Sequence, residues 1–196
     1  MFGEAVPLLS PGWLEDYLYV AVIGQGLIGA GLFEEIGWRG FALPHLQRRY
    51  SALVSSLVIG VVWGCWHLQN YFALDPFPVF RGPPFPWTEV AFLIPASMAI
   101  SVIFTWVYNS TGGSLFAVVV LHGSSIAVGQ IFSRNGQPQQ SAIPQWLGML
   151  LGLLPYLVIA VGLLWRYGAA NLSWRDRVVA EPPNLYMASL VKSAHR

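Results

Sequence analysis

Residues 20–40 read VAVIGQGLIGAGLFEEIGWRG. The run is apolar up to Phe33, interrupted only by Gln25, and then sets Glu34 beside Glu35 with Arg39 one helical turn further on. An ionisable group inside a membrane-spanning helix costs about 2.5–3.5 kcal/mol, so charges at the end of such a run mark a functional site by default. Successive helical residues point about 100° apart, so Glu34 and Glu35 cannot do the same job, whereas Glu35 and Arg39 at i, i+4 share a face. The expected split is one ion pair, Glu35 with Arg39, and one free carboxylate, Glu34, facing a cavity as a general base. The bland alternative is an interfacial cluster reaching for the inner surface, to which a glutamate is poorly suited because its stem is short.

Composition supports reading this run as a membrane span. The chain has 196 residues, of which 55% are hydrophobic and 10% charged, against roughly 25% charged in soluble domains. Its mean hydropathy is +0.55. Further apolar runs at 52–72, 88–108, 113–133 and 145–165 join 17–37 to make about five spanning helices, each near the length a bilayer requires. The fold class expected is therefore all-α, a polytopic transmembrane helical bundle. It divides into an N-terminal segment 1–16, a membrane domain 17–166 and a polar tail 167–196 read as a solvated extension. The proline-rich loop 73–88 is expected to be extended and to lie at an interface.

Ten Lys and Arg against nine Asp and Glu argue against a nucleic-acid surface. The one cysteine, Cys65, excludes an internal disulfide and is expected to serve in packing. The first helix lacks the basic leader of a secretory signal and is expected to remain in place. With the N-terminus outside, Arg39, Arg48, Arg49, Arg166, Arg175, Arg177, Lys192 and Arg196 fall inside, while Arg81 and Arg134 fall outside. That bias predicts an N-out, C-in protein, with the plasma (inner) membrane the expected location. Trp13, Trp87, Trp146, Trp165 and Trp174 stand near run ends, where indole rings anchor at the headgroup level.

Two more ionisable residues lie within apolar runs, His67 in WGCWH (63–67) and His122 in VVVLHGSSIAVG (118–129). His67 also reads as an interfacial polar tip, and a helix–helix hydrogen bond would satisfy His122. At 1.5 Å per residue, Glu34, His67 and His122 lie roughly 18, 23 and 13 Å from the inner ends of their helices, depths that overlap within helix tilt. One carboxylate and two imidazoles in a buried pocket suit hydrolysis in two ways. Glu34 and His67 could activate water while His122 stabilises an oxyanion. Alternatively, Glu34, His67 and His122 could hold Zn²⁺ as a His₂Glu site with a water in the fourth position. The zinc-protease signature HExxH is absent. A proton-coupled transporter would also use buried carboxylates and histidines, but the chain has no inverted repeats.

The motifs EEIGWR (34–39), WGCWH (63–67) and HGSSI (122–126), in order on successive apolar runs, resemble EExxxR, aromatic-xxx-His and His-xxx-Asn of the CPBP family. That family comprises the CAAX prenyl proteases and the bacteriocin-processing membrane proteases, also called Abi. GWRGFALPHLQ (37–47) is similar to the family's continuation of the first motif. The resemblance covers roughly residues 25–130 and implies an intramembrane endopeptidase that cleaves membrane-bound or lipidated (CAAX-like) substrates. It implies that Glu34 and His67 activate the water, Glu35 holds Arg39, and His122 helps stabilise the oxyanion. It leaves the metal requirement open.

The third motif departs from the pattern. Ile126 stands where the family has Asn, and Ser125 or Ser124 is the nearest substitute donor. Loss of an oxyanion donor typically costs about 10²–10³ in rate. The alternative expectation is thus a catalytically weak or inactive member that binds peptides, as a bacteriocin-immunity protein would. The family also carries helices upstream of its first motif, so an alternative start or a shortened bundle is expected here.

Overall fold

The computed structural model describes residues 19–68, 87–135 and 144–175. The N-terminal segment 1–16, most of the proline-rich loop and the tail beyond Arg175 lie outside the described residues. So do the last residues of the 52–72 run, together with Trp13, Arg81, Arg177, Lys192 and Arg196. Within the described residues every regular element is a helix, numbered here α1 to α8.

The first rod is built from four pieces. α1 (Tyr19–Ile28) winds as a π-helix, and Gly29 breaks it with an extended backbone, φ −96° and ψ −155°. α2 (Ala30–Glu35) is α-helical, α3 (Ile36–Ala42) is again π-wound, and α4 (Leu43–Gln47) returns to α geometry. The Leu43 N–H reaches back five residues to the Trp38 carbonyl. Pro44 has no N–H to continue that ladder, and α winding resumes there. π-turns are rare and collect at functional sites, and this one carries Arg39.

α5 (Ala52–His67) starts at Ser51, whose Oγ accepts from the Val54 N–H at 3.2 Å. Its 16 residues span about 24 Å, less than a hydrocarbon core of about 30 Å. α6 (Trp87–Ser110), α7 (Leu115–Asn135) and α8 (Gln145–Tyr167) follow the expected runs closely. Trp87–Ser110 and Trp146–Tyr167 are long and apolar enough to cross a membrane; α5 and Leu115–Ile126 are apolar but shorter.

α6 is the centre of the bundle, touching α5, α8 and α7, while α1 and α2 pack on α7. The α5–α6 crossing is set by glycine. A Cβ on Gly60 would stand 2.5 Å from the Met98 Cα, and one on Gly64 would stand 3.2 Å from the Ile94 Cα. This Gly-xxx-Gly pair lets the two backbones approach as helices do in lipid, where small residues replace the hydrophobic effect as the means of association. Leu43, Ile59, Trp63, Phe104, Tyr108 and Val118 then close one core cluster.

The beginning of the tail corrects the solvated-extension reading. Ala52 and Leu53, in the first turn of α5, have backbone N–H groups with no intrahelical acceptor. The carbonyls of Ala170 and Ala169 take them at 2.9 and 3.0 Å. Asn109 adds a side-chain clamp, donating to the Asn171 carbonyl at 2.8 Å while exchanging hydrogen bonds with Gln47, both 3.1 Å. Leu172 is fully buried against Ala52, Ala99, Val102 and Ala160, and holds a left-handed φ of 48° to get there. Residues 168–175 are therefore docked beneath the helices. Cys65, expected in packing, is exposed.

The surface is inverted relative to a soluble domain. Phe33 (71% exposed), Val158 (68%) and Trp165 (87%) face outward, while Glu35, Arg39, Gln47, Ser101, Thr105 and Asn109 are fully buried. A lipid environment makes that partition favourable. The chain is an integral membrane protein with an all-α bundle.

Candidate active site

The cluster starts from Arg39, fully buried by the π-turn of α3. Its Nη1 donates to Oε1 and Oε2 of Glu35 at 3.0 and 3.1 Å, and its Nη2 donates to Ser101 Oγ at 3.1 Å. The guanidinium also lies 5.4 Å from the Trp63 ring centroid and 5.0 Å from that of Phe104. A buried charge survives only when paired and hydrogen-bonded. Here the pair and its aromatic walls come from α2, α3, α5 and α6.

The expected Glu35–Arg39 pair is present. The structure adds a third member, because His122 Nδ1 lies 2.9 Å from Glu35 Oε1. A carboxylate oxygen accepts, so Nδ1 carries the hydrogen, and Nε2 is the nitrogen left for chemistry. His122 is 4% exposed, with its ring against Trp63 and Phe104 at 5.4 and 5.5 Å between centroids. Glu35 thus both neutralises Arg39 and orients His122.

Glu34 stands outside that pair, as helix geometry required. It is half-buried, and its Oε2 accepts from the Trp63 indole N–H at 2.6 Å. His67 Nδ1 lies 2.8 Å from the Trp63 carbonyl, which can only accept, so its Nδ1 also carries the hydrogen and Nε2 keeps the lone pair. The His67 ring meets the Trp63 ring edge-on at 5.6 Å. Glu34, His67 and His122 therefore converge on one indole rather than on one another.

Ser125, a candidate donor in place of the missing Asn, donates its hydroxyl hydrogen to the His122 carbonyl at 2.7 Å, so it is spent on its own helix. Ile126 is half-buried one turn beyond His122. Among the described residues no group of three or more His, Cys, Asp or Glu side chains is placed to share a metal ion. Glu34, His67 and His122 are thus not gathered around one ion in this arrangement, while the Nδ1 bonds of both histidines leave Nε2, the atom a metal would take, unengaged.

Sequence reasoning named Trp63 only as the aromatic of the second motif, without a role, and missed Ser101 and Phe104 as parts of the site. Trp63 was legible, since it lies four residues before His67 on the same face of α5. Ser101 belongs to a stripe, Ser97, Ser101, Thr105 and Asn109, repeating every four residues along an otherwise apolar α6. All four are buried.

An integral membrane bundle with an acid–base cluster enclosed by α2, α3, α5, α6 and α7 is the class that fold and site define. The model of the Rce1-like family, type II CAAX prenyl endopeptidases, matches residues 16–128, which hold every member of this cluster. The chain belongs to that family. It is also similar to CAAX prenyl protease 2 of Methanococcus maripaludis, 29% identical over 96 residues. That alignment covers 49% of this chain and 35% of the relative, so the chain spans about a third of the length of the curated protein it matches. No solved structure matches.

Proposed function

We propose that this protein is an intramembrane endopeptidase that hydrolyses peptide bonds of membrane-bound or lipidated, CAAX-like proteins. The observation that carries the reading is the division of labour between adjacent glutamates. Glu35 is consumed by Arg39 and His122, and Glu34 keeps one carboxylate oxygen without a protein partner among the described residues.

In the proposed reaction Glu34 takes a proton from water as the water oxygen bonds to the scissile carbonyl carbon. The Nε2 lone pair of His67 accepts from the same water and orients it. The carbonyl becomes an oxyanion, which the Nε2–H of a protonated His122 stabilises, with Glu35 holding that imidazolium through Nδ1–H. Collapse breaks the C–N bond, and the proton held by Glu34 passes to the leaving amine. The carboxylic acid so formed passes the water's second proton to the amine, leaving a carboxylate and an ammonium, and no step runs through a metal.

Orientation belongs to the same proposal: N-terminus outside and C-terminus inside, in the plasma (inner) membrane. The docked ends of α4, α5, α6 and α8 then form the inner face, near Arg48, Arg49, Arg166 and Arg175. An N-terminal tag protected from outside reagents would overturn that orientation.

The experiment compares new termini in membranes of cells expressing the wild-type chain, Glu34→Ala or His122→Ala at matched levels. Cleaved termini present only with the wild type support the endopeptidase and name its substrates. Identical profiles from all three refute it.

A further inference from the structure

We propose that Trp63 is a positioning residue that sets both partners of the attacking water, one through its side chain and one through its backbone. The indole N–H holds Glu34 Oε2 at 2.6 Å, and the Trp63 carbonyl holds His67 Nδ1 at 2.8 Å. The first contact turns the carboxylate so that Oε1 is the oxygen left to take a proton. The second fixes the tautomer in which His67 Nε2 is an acceptor. One residue thereby dictates which atom of each partner is available.

The geometry is suited to that task because the indole has little freedom to move. Trp63 is 6% exposed. The Arg39 guanidinium stands over its face, and the rings of His67, His122 and Phe104 surround it with centroids 5.4–6.0 Å away. Its height is set by the Gly60 and Gly64 contacts with α6, one on each side of Trp63 in the sequence. A donor held this rigidly loses little entropy in gripping a carboxylate, and preorganisation of this kind is what lets an active site hold a reacting group to within a fraction of an ångström. No other aromatic residue could replace it fully. Phenylalanine would keep an aromatic ring there, a smaller one, without donating.

The inference rests on the endopeptidase reading for its kinetic half only. In the purified full chain, Trp63→Phe removes the indole N–H and leaves the backbone carbonyl bond to His67 intact. With a fluorescence-quenched prenylated peptide as probe, kcat is expected to fall about 10- to 100-fold with KM unchanged. A merely structural tryptophan would lower stability and leave kcat of the folded fraction alone. The second measurement needs no substrate. The ¹⁵N–¹H indole resonance that disappears in Trp63→Phe is expected downfield in the wild type and displaced upfield in Glu34→Ala. Wild-type kcat in Trp63→Phe, or an indole resonance indifferent to Glu34→Ala, overturns the proposal. If the wild type cleaves no peptide, the endopeptidase reading has failed, and the indole resonance alone decides whether Trp63 holds Glu34.

Discussion

Replacing Arg39 by alanine would expose the logic of the buried cluster. The substitution removes three hydrogen bonds, two to Glu35 and one to Ser101, and leaves a fully buried carboxylate. Breaking a buried ion pair from one side typically costs about 3–5 kcal/mol, because the remaining charge is uncompensated. His122 shares Glu35 Oε1 and continues to donate to it, which places the expected loss at the lower end, about 3 kcal/mol. For a chain of this size that corresponds to a fall in Tm of roughly 6–12 °C, read by thermal unfolding of the purified protein in detergent. Glu35→Ala alone leaves Arg39 unpaired and is expected to lose a similar amount. The double variant should lose less than the two single losses added, by about 1–3 kcal/mol, since no lone charge remains. Additive losses, or a Tm of wild-type value in Arg39→Ala, would show that the guanidinium is solvated and that the cluster is not the buried unit described here.

Gly60→Ala should lower Tm by several degrees and reduce yield, because its Cβ would meet the backbone of α6 at Met98 rather than a side chain able to move. Asn109→Ala should cost about 1–3 kcal/mol by leaving the Gln47 amide and the Asn171 carbonyl without a partner, and should open residues 168–175 to limited proteolysis; unchanged protease resistance would count against the docked segment. Ile126→Asn places an amide one turn beyond His122 and, under the proposed mechanism, should raise kcat about tenfold or more. An unchanged or lower kcat would mean that no oxyanion donor is missing there.

How much was legible in advance follows from the range of the interactions involved. The Glu35–Arg39 pair was readable because its geometry is local: residues four apart on a helix meet whatever else the chain does. The boundaries of α6, α7 and α8 were readable for a similar reason, apolar run length being matched to bilayer thickness. Docking of residues 168–175 was not, since a polar segment after the last span looks solvated until the first turn of α5 presents unpaired N–H groups to it. The bond from Arg39 to Ser101 was equally hidden, for it joins two helices far apart in the sequence.

Sequence alone therefore determined that this is a helical membrane protein, that its ionisable residues sit on three particular runs, and that adjacent glutamates must take different roles. These follow from solvation cost and helical period, which act within a single segment. Tertiary structure decided the partnerships. His122 went to Glu35 and Glu34 to the Trp63 indole, both across helices, whereas the bond of His67 to the Trp63 carbonyl is local to α5. Those choices turn on helix separations of a few ångströms, as where Gly60 and Gly64 let α5 close on α6, and no single run encodes the distance to its neighbour.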